Sequence, residues 1–126
     1  VTSVADASFQ VNLDELLKES TRSRSKVSNV YIAQAKDVFG EKAKRPEDRV
    51  VVIETEDGAQ LTTSMPRGAE YNAGEWSIVN HAQFVRVLKN KRSNFAKFLK
   101  RYGHWPHAGL EVETDVDAEG FPRIVV

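Results

Sequence analysis

Apolar and polar positions along this chain follow two different periods, and the switches between them mark its elements. Asn12 with Glu15 three residues on has the form of a helix start, and Leu13, Leu16 and Leu17 follow at helical spacing. This predicts a short helix ending near Ser20. Residues 20–26 hold no apolar side chain and read as an exposed loop. From Val27 the stretch is β-prone, with Val30, Ile32, Ala33 and Ala35, and it ends on Val38 and Phe39 before Gly40, where helix is the competing reading. Residues 41–48 are polar, contain Pro46 and predict a loop. Residues 50–53 make the clearest strand core, Asp57-Gly58 supplies a turn, and residues 60–65 return as an antiparallel partner.

The second half alternates between strand and helix in the same way. Residues 66–74, with a proline and two glycines, read as a connection of the kind that borders a binding face. Residues 76–79 form a short strand. Asn80 caps a helix running to Leu88, with Phe84, Val85 and Leu88 on its apolar stripe. Ser93 caps the next helix, where Phe95, Phe98, Leu99 and Tyr102 share one face and Gly103 supplies the stop. After a rigid turn at Trp105-Pro106, residues 110–116 alternate as a half-buried strand should, and residues 117–120 turn the chain back into residues 121–126.

This order is α+β: a small curved antiparallel sheet or partly open barrel with a helical hairpin packed on one side. The oligonucleotide-binding barrel belongs to that set by architecture alone, through no diagnostic motif. Residues 1–8 read as a flexible N-terminus and 9–126 as one domain. At 126 residues, 40% of them hydrophobic and 29% charged, the chain has the composition of a folded soluble protein. It has no cysteine, which excludes disulfides, thiolate metal sites and a cysteine nucleophile and is compatible with a cytoplasmic location. No apolar run is long enough to span a bilayer, so no membrane partner is expected, and the first residues lack the pattern of a signal peptide.

Charge changes the picture. Eighteen basic and eighteen acidic residues cancel, but between Glu75 and Glu111 there is no acid, while Arg86, Lys89, Lys91, Arg92, Lys97, Lys100 and Arg101 fall there with His81, His104 and His107. Lys97, Lys100 and Arg101 lie on the helix face opposite Phe95 and Phe98, and Lys89, Lys91 and Arg92 occupy the link before the Ser93 helix start. Cations arranged in this way replace the counterions of an anionic polymer, and Trp105, Tyr71 and Trp76 are candidate platforms for stacked bases. The expected function is that of a non-enzymatic nucleic-acid-binding accessory protein favouring single-stranded DNA or RNA, with contacts through Lys89, Lys91, Arg92, Lys97, Lys100, Arg101 and Trp105.

The alternative is a protein-interaction or self-assembly module with complementary basic and acidic faces, in which a homo-oligomer forms as the basic hairpin meets the acids of another copy at Glu111, Glu113, Asp115, Asp117 and Glu119. No catalytic motif is present. No metal or cofactor is expected: the spacing of His104 and His107 is not that of a metal site, and Asp115, Asp117 and Glu119 imitate a calcium loop that lacks its terminal glutamate.

Overall fold

The computed structural model describes residues 22–126, so the helix expected at Asn12 and the expected N-terminal boundary at residue 8 lie outside the described residues. Among the described residues the elements run β1 (Ser23–Gln34), α1 (Ala35–Phe39), β2 (Arg49–Thr55), β3 (Gln60–Ser64), β4 (Ala69–Asn72), β5 (Glu75–Ile78), α2 (His81–Lys89), α3 (Asn94–Tyr102), β6 (Glu111–Val116) and β7 (Pro122–Ile124). The class is α+β, as the sequence pattern indicates. The sheet, however, is neither open nor partly open: β1-β2-β3-β7-β6 form a closed barrel, with β4 and β5 as a separate pair.

Closure depends on two long-range pairings. β1 serves two neighbours: Ser23 to Lys26 pair with Thr114 to Glu111 of β6, and Asn29 to Gln34 pair with Glu54 to Arg49 of β2, with a register shift between Val27 and Asn29. Such an irregularity bends a strand, which lets one long strand turn the barrel corner. β3 meets β7 in parallel at Gln60 and Arg123 and completes the ring. Residues 23–26 are therefore strand and not the expected loop. Their polar side chains find partners across β6, Ser23 Oγ lying 2.8 Å from Thr114 Oγ1 and Arg24 3.5 Å from Glu111.

Residues 35–39 are helical, the competing reading of that stretch. The amides of Ala35 and Lys36 donate to the carbonyls of Asp48 and Pro46, which turns the chain off β1. Ala35 then packs on Val50 and Val52, with Val38 and Ala43 beside them, and covers the outer side of β2. The connection expected at residues 66–74 contains β4, which pairs with β5 through a tight turn at Ala73 and Gly74, both at positive φ (52° and 81°).

The core collects Val27, Val30, Val51, Ile53, Val112 and Ile124 from the barrel, and Phe84 of α2 with Phe95 and Phe98 of α3 belong to the same buried cluster. Both helix starts are capped as expected: Asn80 Oδ1 accepts the Gln83 amide and Ser93 Oγ accepts the Ala96 amide, each at 3.1 Å. Gly103 ends α3 in the left-handed conformation.

The β2–β3 turn is held by Asp57. Its carboxylate accepts hydrogen bonds from the Thr55 hydroxyl, the Ala59 amide (3.3 Å) and the Thr114 hydroxyl (3.1 Å), tying the turn to β6. The Thr55 hydroxyl, above all, holds the Asp57 carboxyl below its ordinary 3.8. The unfolded chain therefore takes up this proton first. The stability supplied by Asp57 is complete above about pH 4 and is lost as the pH falls through the lower, folded value. Acid titration of unfolding should accordingly show a flatter acid limb for Asp57→Asn than for the native chain. Identical acid limbs would mean that the network contributes nothing.

Candidate functional site

α2 and α3 are joined by a link that Asn90 rigidifies: its side-chain Oδ1 accepts the Arg92 amide at 3.0 Å and its carbonyl accepts the Ser93 amide at 3.1 Å. The link brings Arg92, Ser93 and Asn94 against the outer side of β3. There they bound a cleft of about 620 Å³. Its lining also includes Val50 of β2, Thr62 and Ser64 of β3, Met65 to Arg67 after it, and Gln83, Arg86, Val87 and Asn90 of α2 and its end. Phe39, at the end of α1, closes one side and is 47% exposed.

No acidic residue lines this cleft. Arg67, Arg86 and Arg92 are exposed, and none of the three is ion-paired among the described residues. The first turn of α3 likewise carries no acid, so the cleft is lined by three arginines beside a helix N-terminus. It can hold an anion, and it has an apolar ring face at its edge.

The residues marked by the sequence separate into three groups. Arg92 lines the cleft, while Lys89, the last residue of α2, and Lys91, within the α2–α3 link, are exposed. Lys97 and Lys100 are exposed along α3, without ion-pair partners among the described residues. Arg101 is committed elsewhere: its guanidinium donates to Glu113 at 2.6 Å and lies over the Tyr102 ring at 5.9 Å. That contact holds the Glu113 carboxyl below its ordinary value.

Trp105 is half-buried, parallel to Trp76 with ring centroids 5.4 Å apart. Trp76 in turn contacts Tyr71 at 4.7 Å and Phe95 at 5.2 Å and donates from Nε1 to the Pro106 carbonyl at 2.9 Å. Of these pairs only Trp76 and Trp105 are stacked, and Tyr71 and Phe95 meet Trp76 at tilted angles of 42° and 53°.

The acidic strand is similarly occupied within the chain. Glu111 pairs with Arg24, Glu113 with Arg101, and Asp115 with Arg123 at 2.7 Å. Asp117 Oδ1 accepts the amides of Glu119 and Phe121, each at 2.9 Å, and so closes the hairpin turn. His107 Nδ1 lies 2.7 Å from the Trp105 carbonyl. No group of three or more metal-ligating side chains occurs among the described residues.

Sequence reasoning missed Phe39 and Arg67 and did not single out Arg86 within the basic interval. A signal for Arg67 existed, because it lies in the connection after Pro66 already marked as bordering a binding face. Phe39 carried none. The chain matches no protein-family model, no curated protein and no solved structure. Among the described residues no helix is long and apolar enough to cross a membrane.

Proposed function

We propose that this protein is a non-enzymatic nucleic-acid-binding accessory protein that takes single-stranded DNA or RNA into the cleft of Arg67, Arg86 and Arg92. One observation carries the reading: three arginines without ion-pair partners among the described residues line the same cleft as an exposed phenylalanine and residues of β2 and β3 in a closed five-stranded barrel. Oligonucleotide-binding barrels use the face of those two strands, between the neighbouring loops, to receive their ligands. The likeness of architecture suggests where to look, and the charge of the cleft supports the ligand class.

In this reading α2 and α3, as a helical hairpin on one side of the barrel, form the cationic wall. The arginines replace condensed counterions and fork onto phosphate oxygens. Phe39 offers a face on which one base stacks, while the amides of Gln83, Asn90 and Asn94 meet base edges or sugar. Lys89 and Lys91 extend the cationic track beyond the cleft. Self-assembly through opposite charges is less favoured, because Glu111, Glu113 and Asp115 are already paired inside the chain.

The test is binding of labelled single-stranded DNA, RNA and duplex, each about 15 residues long to match a barrel site, across a salt series. The native chain should bind single strands with a steep salt dependence. Arg67→Ala/Arg86→Ala/Arg92→Ala should weaken binding more than about 30-fold at low salt and flatten the logarithmic salt slope by about 2, near 0.7 for each phosphate contact removed. A native chain that binds none of the three at low salt, or a folded triple variant that binds as the native chain does, would reject the reading.

A further inference from the structure

A second concavity, of about 440 Å³, is lined by Phe84 and Leu88 of α2, Leu99 and Lys100 of α3, and His104 and Trp105 beyond its end. It shares no lining residue with the arginine cleft. Phe84 is 5% exposed, Leu88, Leu99 and Trp105 are half-buried, and Lys100 and His104 are exposed. The buried cluster is thus continuous with an apolar surface that the described residues leave partly open to water.

We propose that this groove docks an acidic amphipathic segment of a partner protein. Its apolar lining sets the first half of that chemistry. Leu88 and Leu99 come from two neighbouring helices, an arrangement that receives the apolar stripe of a third. Charge sets the second half. Neither α2 nor α3 carries an acid, and no acid lines the groove among the described residues. Lys100 and Lys97, one helical turn before it, are both exposed and without ion-pair partners among the described residues. Carboxylates flanking an apolar stripe meet these ammonium groups as the stripe fills the groove, so steering and seating select the same partner.

Other anionic occupants fit less well. Trp105 already packs against the rings of Trp76, Phe84 and Phe95, with Trp76 stacked on it at 5.4 Å, which leaves little ring face for a base. A lipid surface takes up apolar side chains that protrude, whereas these line a concavity. On a second copy, Glu111, Glu113 and Asp115 are engaged by Arg24, Arg101 and Arg123. The proposal does not depend on what the arginine cleft binds.

The test uses the full chain and three fluorescein-labelled peptides of about 18 residues, or about five helical turns. The first places leucine at the spacing of one helical face with glutamate elsewhere. In the second, serine replaces its leucines, and in the third, lysine replaces its glutamates. By fluorescence anisotropy the leucine–glutamate peptide should bind, and the other two should bind at least about 10-fold more weakly. Lys97→Glu/Lys100→Glu should weaken the first peptide at least about 10-fold. At about 0.15 M salt, where distant charges are screened, Arg67→Ala/Arg86→Ala/Arg92→Ala should leave it within about 3-fold. A leucine–glutamate peptide that does not bind would overturn the proposal. Equal binding of the serine peptide, or loss of binding in the arginine variant, would do the same, because charge alone or the cleft would then hold the peptide. So would binding of phosphatidylglycerol vesicles by the native chain and not by the lysine variant, since the occupant would then be a lipid surface.

Discussion

Phe95→Ala is expected to destabilise the fold by about 3 to 5 kcal/mol, a large share of the roughly 5 to 15 kcal/mol that holds a domain of this kind together. Phe95 has no exposed surface and stands between the barrel core and the aromatic group, 5.2 Å from Trp76 and 6.1 Å from Trp105 by ring centroids. Alanine removes the ring from between its neighbours Trp76 and Trp105 and leaves a cavity in the buried cluster. Denaturant unfolding should therefore show a lower midpoint with an unchanged slope, and near-ultraviolet circular dichroism should show loss of the Trp76 and Trp105 signal. Phe95→Leu, which keeps most of the volume, should cost less than about 1.5 kcal/mol. A Phe95→Ala chain within about 1 kcal/mol of the native one would mean that the Phe95 ring contributes little to the buried cluster.

The contrast between what the sequence revealed and what it concealed has a physical basis. Asn80, Ser93 and Gly103 were legible because capping is local: each side chain or backbone conformation acts within one helical turn of its own position. The β2–β3 hairpin was legible for the same reason, with Asp57-Gly58 at its turn.

Barrel closure was not legible, because it rests on Ser23 meeting Thr114 and on the single parallel pair of Gln60 with Arg123, which no local pattern encodes. The basic interval was visible as composition, yet its sorting was not. Arg101 finds Glu113 across the fold, whereas Arg86 and Arg92 line a cleft with Arg67, from the connection after β3, and Phe39, from the end of α1. The acids of β6 misled for a related reason. Arg24 and Arg123 reach Glu111 and Asp115 from neighbouring strands, which a count along the chain does not register.

Gly68→Ala should cost about 3 kcal/mol or more and should weaken the cleft along with the fold. Gly68 sits at φ +84°, and its carbonyl accepts the amides of Val79 and Asn80 at 2.7 and 3.1 Å, locking the approach to α2. A Cβ at this position would come within 2.4 Å of the Asn80 carbonyl oxygen and 2.7 Å of the Phe84 nitrogen. Those two atoms form the first hydrogen bond of α2, at 3.0 Å. The methyl group would thus wedge into helical backbone, where no side chain can swing aside.

Relief requires α2 to move, which draws Phe84 from the core and displaces Gln83 and Arg86 from the cleft. Gly74→Ala is the matched control: its φ is +81° and nothing lies within 4 Å of the added carbon, so it carries only the conformational cost of about 1 kcal/mol. Thermal unfolding of the two variants should separate them by at least about 2 kcal/mol. If they unfold together, α2 is not seated on Gly68, and the wall that carries Arg86 is not fixed by this contact.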